Sequence, residues 1–175
     1  MSEVFCVRVV IMSRQNLARW QKIAERQLNK VLTVVKQNRG LRSIGPKVDW
    51  KVELLIVGQV RMRNLNRQYR GKDYPTDVLS FYTPEPLFQL GFLGELVICL
   101  PVMESQAKKL KHSSSIELDV LLVHGLLHLL RLDHEKNSDE ARVMAKWELK
   151  CLKSMGYEKY QLGLIDRAGS GKRKL

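Results

Sequence analysis

A chain of 175 residues, 45% hydrophobic and 27% charged, suits one domain with a substantial core and requires no second. Thirty lysines and arginines against eighteen aspartates and glutamates give a formal charge of +12, which points to a polyanion, RNA or DNA, as partner. An anionic membrane is disfavoured, because no segment pairs a strongly basic helix face with a Trp/Phe/Leu-rich one and none is long and apolar enough to span a bilayer.

Along the chain, strand and helix patterns alternate. Val4 to Met12 is rich in β-branched residues and reads as a first strand. The amino terminus lacks the pattern of a secretory signal, so an intracellular, cytoplasmic protein is expected. Leu17, Trp20, Ile23, Ala24, Leu28, Val31, Leu32 and Val35 then recur at helical spacing. Arg39 to Lys47, with two glycines and a proline, reads as a loop before a second strand from Trp50 to Val57. Gln59 to Tyr69 fits a short helix. Asp77 to Tyr82 and Glu95 to Leu100 are apolar runs expected to be the third and fourth strands, joined through the turn-rich segment Thr83 to Gly94.

The second half reads as helical. Pro101 suits the first position of a helix running to about Lys111, and Ser114 with Glu117 suggests a capping box opening a long apolar helix. Apolar residues on nearly every side imply that this helix is buried. A last amphipathic helix spans about Asp139 to Met155, with Gly156 as its C-cap. Residues 1–160 are expected to form one domain, and 161–175 a basic, disordered tail. Cys6, Cys99 and Cys151, odd in number and without a CxxC pattern, read as reduced thiols.

The buried helix carries the chemistry. His124, His128 and His134 are three of only four histidines and fall at i, i+4, i+10. One helical turn stacks the first two imidazoles on a common face, within reach of one cation. Six further helical residues would carry the third about 9 Å along the axis and onto another face, so the chain must bend back after His128. Three neutral nitrogen donors then leave a coordination position for water, the arrangement of a catalytic zinc centre.

Gly125 stands where the HExxH motif of zinc peptidases has its glutamate base, so a peptidase lacks its proton acceptor. A helical glycine costs about 0.5–1 kcal/mol against alanine. Its simplest reason is free space for a bulky phosphodiester beside the metal; close helix packing is the alternative. Arg131 lies where the chain must turn, in a position that favours glycine, since a left-handed arginine costs roughly 1–2 kcal/mol. Either metal ligation offsets that cost or the helix ends differently.

A second constellation runs from Tyr69 to Asp77. Arg70 and Lys72 flank Gly71, offering a planar fork and a point charge to phosphate oxygens. The same residues also read as an ordinary charged turn in which Asp73 and Asp77 pin the backbone around Pro75. His112 is expected to be a solvated helix-end residue.

YRGKDYPTDVLSF, GELVIC and HGLLHLLRLDH, in that order, resemble the YbeY family of metal-dependent endoribonucleases over about Trp50 to Gly156. The resemblance implies an α/β (α+β) fold with a small mixed four-stranded sheet, about five helices and a buried metal-bearing helix. It implies one zinc ion on His124, His128 and His134, catalytic roles for Arg70 and His124, and substrate contacts from Arg70 and Lys72. It further implies single-strand-specific cleavage in maturation of the 16S rRNA 3′ end and in ribosome quality control, with rRNA or the small ribosomal subunit as partner and no DNA or membrane. Arg131 departs from the family's usual glycine.

In the expected mechanism, zinc lowers the pKa of its bound water towards neutrality or polarises the phosphate for attack by the ribose. Arg70 stabilises the charge of the transition state. Two rivals are a non-catalytic ribosome-assembly protein that binds RNA around a structural metal, and a zinc peptidase without its glutamate.

Overall fold

Strand pleating sorts the apolar residues into two layers. The computed structural model describes residues 6–12, 17–132 and 138–157. Its four strands are β1 (Cys6–Met12), β2 (Lys51–Val57), β3 (Val78–Tyr82) and β4 (Phe92–Cys99), in the order β1-β2-β4-β3. β1, β2 and β4 run parallel, and β3 lies antiparallel on β4 at one edge, giving the expected mixed four-stranded sheet. Val52, Leu54 and Ile56 of β2 and Leu96 and Ile98 of β4 join the main core, whereas Val57, Leu79, Val97 and Cys99 form a smaller cluster with Met62. Side chains that alternate along a strand thus feed opposite faces.

The main face carries α1 (Leu17–Gln37), α6 (Ser114–Leu129) and α7 (Ser138–Ser154), and the smaller cluster is closed by α3 (Gln59–Arg70). α5 (Leu100–Lys109) follows β4 directly. Two short helices occupy segments expected to be loops. α2 (Arg39–Ile44) forms because Leu41 is fully buried, and α4 (Glu85–Gln89) starts after Pro84 and buries Phe88. One apolar anchor in each suffices to hold a single turn, a tertiary effect invisible to periodicity.

β4 begins at Phe92, three residues before the expected start, with a register irregularity against β2 at Lys51/Val52. Gly94 sits there at φ +142°, where a Cβ would come within van der Waals overlap of the Phe81 carbonyl. Only glycine suits that close approach.

Two expectations at the start of α6 are corrected. The cap is Ser113, whose side chain accepts from the Ile116 amide at 3.3 Å, so Ser114 and Glu117 do not form a capping box. His112 is not solvated. Lys111 takes a left-handed conformation (φ +56°), and the His112 amide bonds back to the Ala107 carbonyl at 3.1 Å. This turn directs the imidazole inward, where its side chain is 4% exposed and Nε2 lies 3.1 Å from Oε2 of the buried Glu117. Among the described residues no helix is long and apolar enough to cross a membrane. The tail at 161–175 lies outside the described residues.

Candidate active site

α6 is almost wholly enclosed, with eleven of its sixteen residues buried. Beyond its first turn only the two histidines are less than buried, and they border a cleft. The His124 and His128 rings stand 4.7 Å apart between centroids and nearly perpendicular, at 78°, as one-turn spacing requires. His124 Nδ1 lies 2.6 Å from Oε1 of Glu148, a largely buried carboxylate on α7. With Nδ1 tied to that carboxylate, metal ligation by His124 would fall to Nε2. Carboxylate partners of this kind fix the tautomer and raise the basicity of metal-binding imidazoles, so the pair fits a cation site. Sequence reading missed Glu148. Its register on α7 would have placed it on the buried face, but nothing in the sequence couples it to His124 across twenty-four residues.

Gly125 does not face the cleft, which corrects the expectation that it makes room for a phosphodiester. A Cβ there would lie 2.7 Å from Leu96 Cδ2 and 3.3 Å from Ser80 Oγ. The glycine lets α6 seat closely on β4 and β3. A glutamate at this position would enter the helix–sheet interface, so the peptidase motif is excluded by packing as well as by residue identity.

The chain leaves α6 by a left-handed turn at Arg131, φ +69°. The Leu132 amide donates to the Leu127 carbonyl at 3.1 Å and the Arg131 amide to that of His128 at 2.7 Å, the paired bonds of a Schellman ending. α6 therefore ends at Leu129 and the chain turns off its axis at Arg131. The strain is offset by the arginine side chain itself. Its Nη2 donates to the Thr83 carbonyl at 2.8 Å and lies 3.6 Å from Glu85 Oε2. The guanidinium carbon sits 5.1 Å from the Tyr82 ring centroid and 5.3 Å from that of Phe88, both within cation–π range.

The cleft, about 400 Å³, brings Arg70 and Lys72 together with His124 and His128, and with Tyr74 and Tyr82. The two cations of the 70–77 loop thus border the same space as the imidazole pair. Arg70 is the last residue of α3, and Gly71 caps the helix at φ +68°. Both cations are exposed, and among the described residues neither makes an ion pair.

The rest of the loop is anchored. Asn66 donates to the Tyr74 carbonyl at 2.7 Å, and Asp77 accepts from the Val78 amide at 2.9 Å and from Gln106 at 3.0 Å. Asp73 takes a two-pronged bond from Arg63, at 2.9 and 2.6 Å. That hydrogen-bonded fork, with the positive charge it brings, holds the Asp73 carboxyl below its usual range against the opposing effect of desolvation. Two exposed cations are thus presented from a hydrogen-bonded loop.

His134, the third expected ligand, lies outside the described residues. Among those described, no three histidine, cysteine, aspartate or glutamate side chains gather into a cation-sized group. His124 and His128 are the two described imidazoles that could hold a metal, with the Glu148 carboxylate behind one of them.

The family model described as Endoribonuclease YbeY matches residues 11–156. The chain is 38% identical to the Endoribonuclease YbeY of Malacoplasma penetrans over 130 residues, 73% of this chain and 86% of that one. It is 39% identical to that of Acinetobacter baumannii over 131 residues, 72% of this chain and 80% of the relative. Identity to the Endoribonuclease YbeY of an Anaeromyxobacter strain is 44% over 110 residues, 63% of this chain, and the match spans 57% of that relative's length. The fold is similar to the solution structure of a Thermotoga maritima protein, with a TM-score of 0.53 at 24% identity, covering 89% of this chain and 95% of that one.

Proposed function

This chain belongs to the YbeY endoribonuclease family, and on that premise we propose that its cleft cleaves single-stranded RNA at a zinc centre. The observation that carries the reading is the meeting of Arg70 and Lys72 with His124 and His128 in one cleft. Anion-binding cations and a metal-binding imidazole pair are the two halves of a phosphodiester-cleaving site.

In this reading one zinc ion per chain is held by His124, His128 and His134. When bound, it supplies a Lewis acid and a nucleophilic water at neutral pH. Arg70 binds the scissile phosphate through its planar fork and stabilises the added negative charge of the transition state, a role typically worth a few kcal/mol. Lys72 draws the backbone into the cleft as a point charge. Glu148 holds the His124 ring in one orientation and one tautomer. The formal charge of +12 supports rRNA as the polyanion, and we assign the activity to maturation of the 16S rRNA 3′ end and ribosome quality control in the cytoplasm.

The test is metal analysis of the purified protein alongside RNA cleavage by wild type, His128→Ala and Arg70→Ala. Loss of zinc and cleavage together in His128→Ala is expected. Arg70→Ala should retain zinc, fold and most of its RNA affinity while losing turnover. An affinity loss that salt abolishes, with no wild-type cleavage to lose, would instead make this an RNA-binding assembly protein. A 2′,3′-cyclic phosphate on the product would assign the attack to the ribose, and a 3′-hydroxyl would assign it to water.

A further inference from the structure

We propose that Tyr82, backed by Arg131, is a base-stacking residue of the cleft, receiving the face of an unpaired nucleobase beside the phosphate held by Arg70 and Lys72. The proposal rests on the RNA reading above and names the part of the substrate that this wall of the cleft recognises.

Tyr82 closes β3 and lines the same cleft as the two histidines, yet it is 43% exposed. Strand alternation puts it on the sheet face of Ser80, whose Oγ lies 3.5 Å from the carbonyl of Gly125, between the histidines. Two residues of strand separate Tyr82 from Ser80 by about 7 Å, within reach of a base whose phosphate lies over the imidazoles. A second exposed ring, Tyr74, lines the same space. Aromatic side chains interleaved with lysine and arginine form the surface on which single strands bind, since every base offers a π-face and every phosphate a charge.

The Tyr82 ring is backed by Arg131. Arg131 lies over it at 5.1 Å and holds the backbone of the next residue by its 2.8 Å bond to the Thr83 carbonyl. The ring thus carries a guanidinium and, 43% exposed, borders the cleft. This also accounts for an arginine at φ +69°, where glycine would cost less: the position is used for its side chain. Arg131 is a positioning residue, acting through Tyr82. A base already paired and stacked within a duplex cannot offer its face to Tyr82, so this contact selects unpaired RNA.

The experiment measures binding of a 2′-O-methyl single-stranded oligonucleotide, carrying 2-aminopurine at successive positions, to the zinc-loaded full chain. Wild type should quench the fluorophore at one position. Tyr82→Trp should keep the quench and the affinity. Tyr82→Leu should lose the quench and about tenfold in affinity, with its defect on single-stranded RNA cleavage falling on KM more than kcat. Arg131→Gly should show a smaller loss, about threefold, while melting close to wild type because glycine suits the backbone there.

Wild-type affinity and quench in Tyr82→Leu would overturn the stacking proposal and leave the RNA reading standing. Failure of wild type to bind the oligonucleotide would overturn both. Should Tyr82→Leu fail to fold, unchanged quench in Arg131→Gly together with lost affinity in Tyr82→Trp would overturn it equally.

Discussion

The Nδ1 atom of His124 and Oε1 of Glu148 are 2.6 Å apart, and this contact joins the helix that bears the imidazoles to the helix that closes the core. Removing such a carboxylate typically lowers metal affinity 10–100-fold. Glu148→Ala should therefore bind zinc at least tenfold more weakly than wild type in competition with a chromophoric chelator. Glu148→Gln, whose amide oxygen can still accept from Nδ1, should lose less. Equal zinc affinity in all three proteins would remove Glu148 from the site.

The seating of α6 on the sheet leads to a graded prediction at Gly125. Alanine gains about 1 kcal/mol of helix propensity, but its Cβ meets Leu96 Cδ2 at 2.7 Å in a core where overpacking costs about 1–3 kcal/mol. Gly125→Ala should thus lose no more than about 2 kcal/mol in urea unfolding. Gly125→Glu, which creates the peptidase-like HExxH spelling, places a charge in the interface and should lose at least about 3 kcal/mol while gaining no proteolysis. A stable Gly125→Glu protein would show that the position faces open space after all.

How much of this was legible in the sequence follows from the range of each interaction. His124 and His128 share one helix, so spacing alone brings them together, and the four strands announce themselves by apolar runs. The left-handed turn at Arg131 was one of two readings the sequence allowed, the other being a different path for the last helical turn. Glu148 was not, since its meeting with His124 depends on how α7 packs against α6. His112 misled for a related reason: in a polar stretch after Lys111 it reads as solvated, and only the backbone reversal at Lys111 turns it towards Glu117. Gly125 was ambiguous because the sequence does not say which side of a buried helix faces the sheet.

α1, α6 and the segment that follows α7 are tied together by Lys30, Asp119 and Tyr157, and the tie sets an alkaline limit on stability. Tyr157 donates to the fully buried Asp119 at 2.6 Å and accepts from Lys30 Nζ at 2.9 Å, while Lys30 lies 3.2 Å from the same Asp119 oxygen. Burial holds the Asp119 carboxyl above its usual range and, with the neighbouring carboxylate, pushes the Tyr157 phenol up. For Lys30, desolvation pulls downward, but the bonds to Tyr157 and Asp119 outweigh it and raise the pKa above 10.5.

Tyr157 and Lys30 bind their protons more tightly when folded. Their contribution is fully present below the unfolded values of 10.0 and 10.5 and is lost as pH rises through the folded ones. Melting temperature should therefore fall from about pH 10 upward. Tyr157→Phe should lose about 1–3 kcal/mol at pH 7, because a buried carboxylate oxygen forfeits a donor, and should flatten that alkaline slope. A melting temperature level from pH 9 to 11.5 in wild type would contradict the assignment.

Thiol chemistry gives an independent measure of how closed the core is. Burial pushes the Cys151 thiol up to about 12 and raises that of Cys99 as well, and both residues are fully buried. The thiolate is the reactive species, so at pH 8 both sites combine a thiolate fraction lowered by burial with no access for reagent. Iodoacetamide applied to the native protein should leave Cys99 and Cys151 unmodified by peptide mass spectrometry, and both should react fully in urea. Because Cys151 lies on the same helix as Glu148, alkylation of Cys151 without denaturant would mean that α7 opens in the native state, taking the carboxylate away from His124 each time it does.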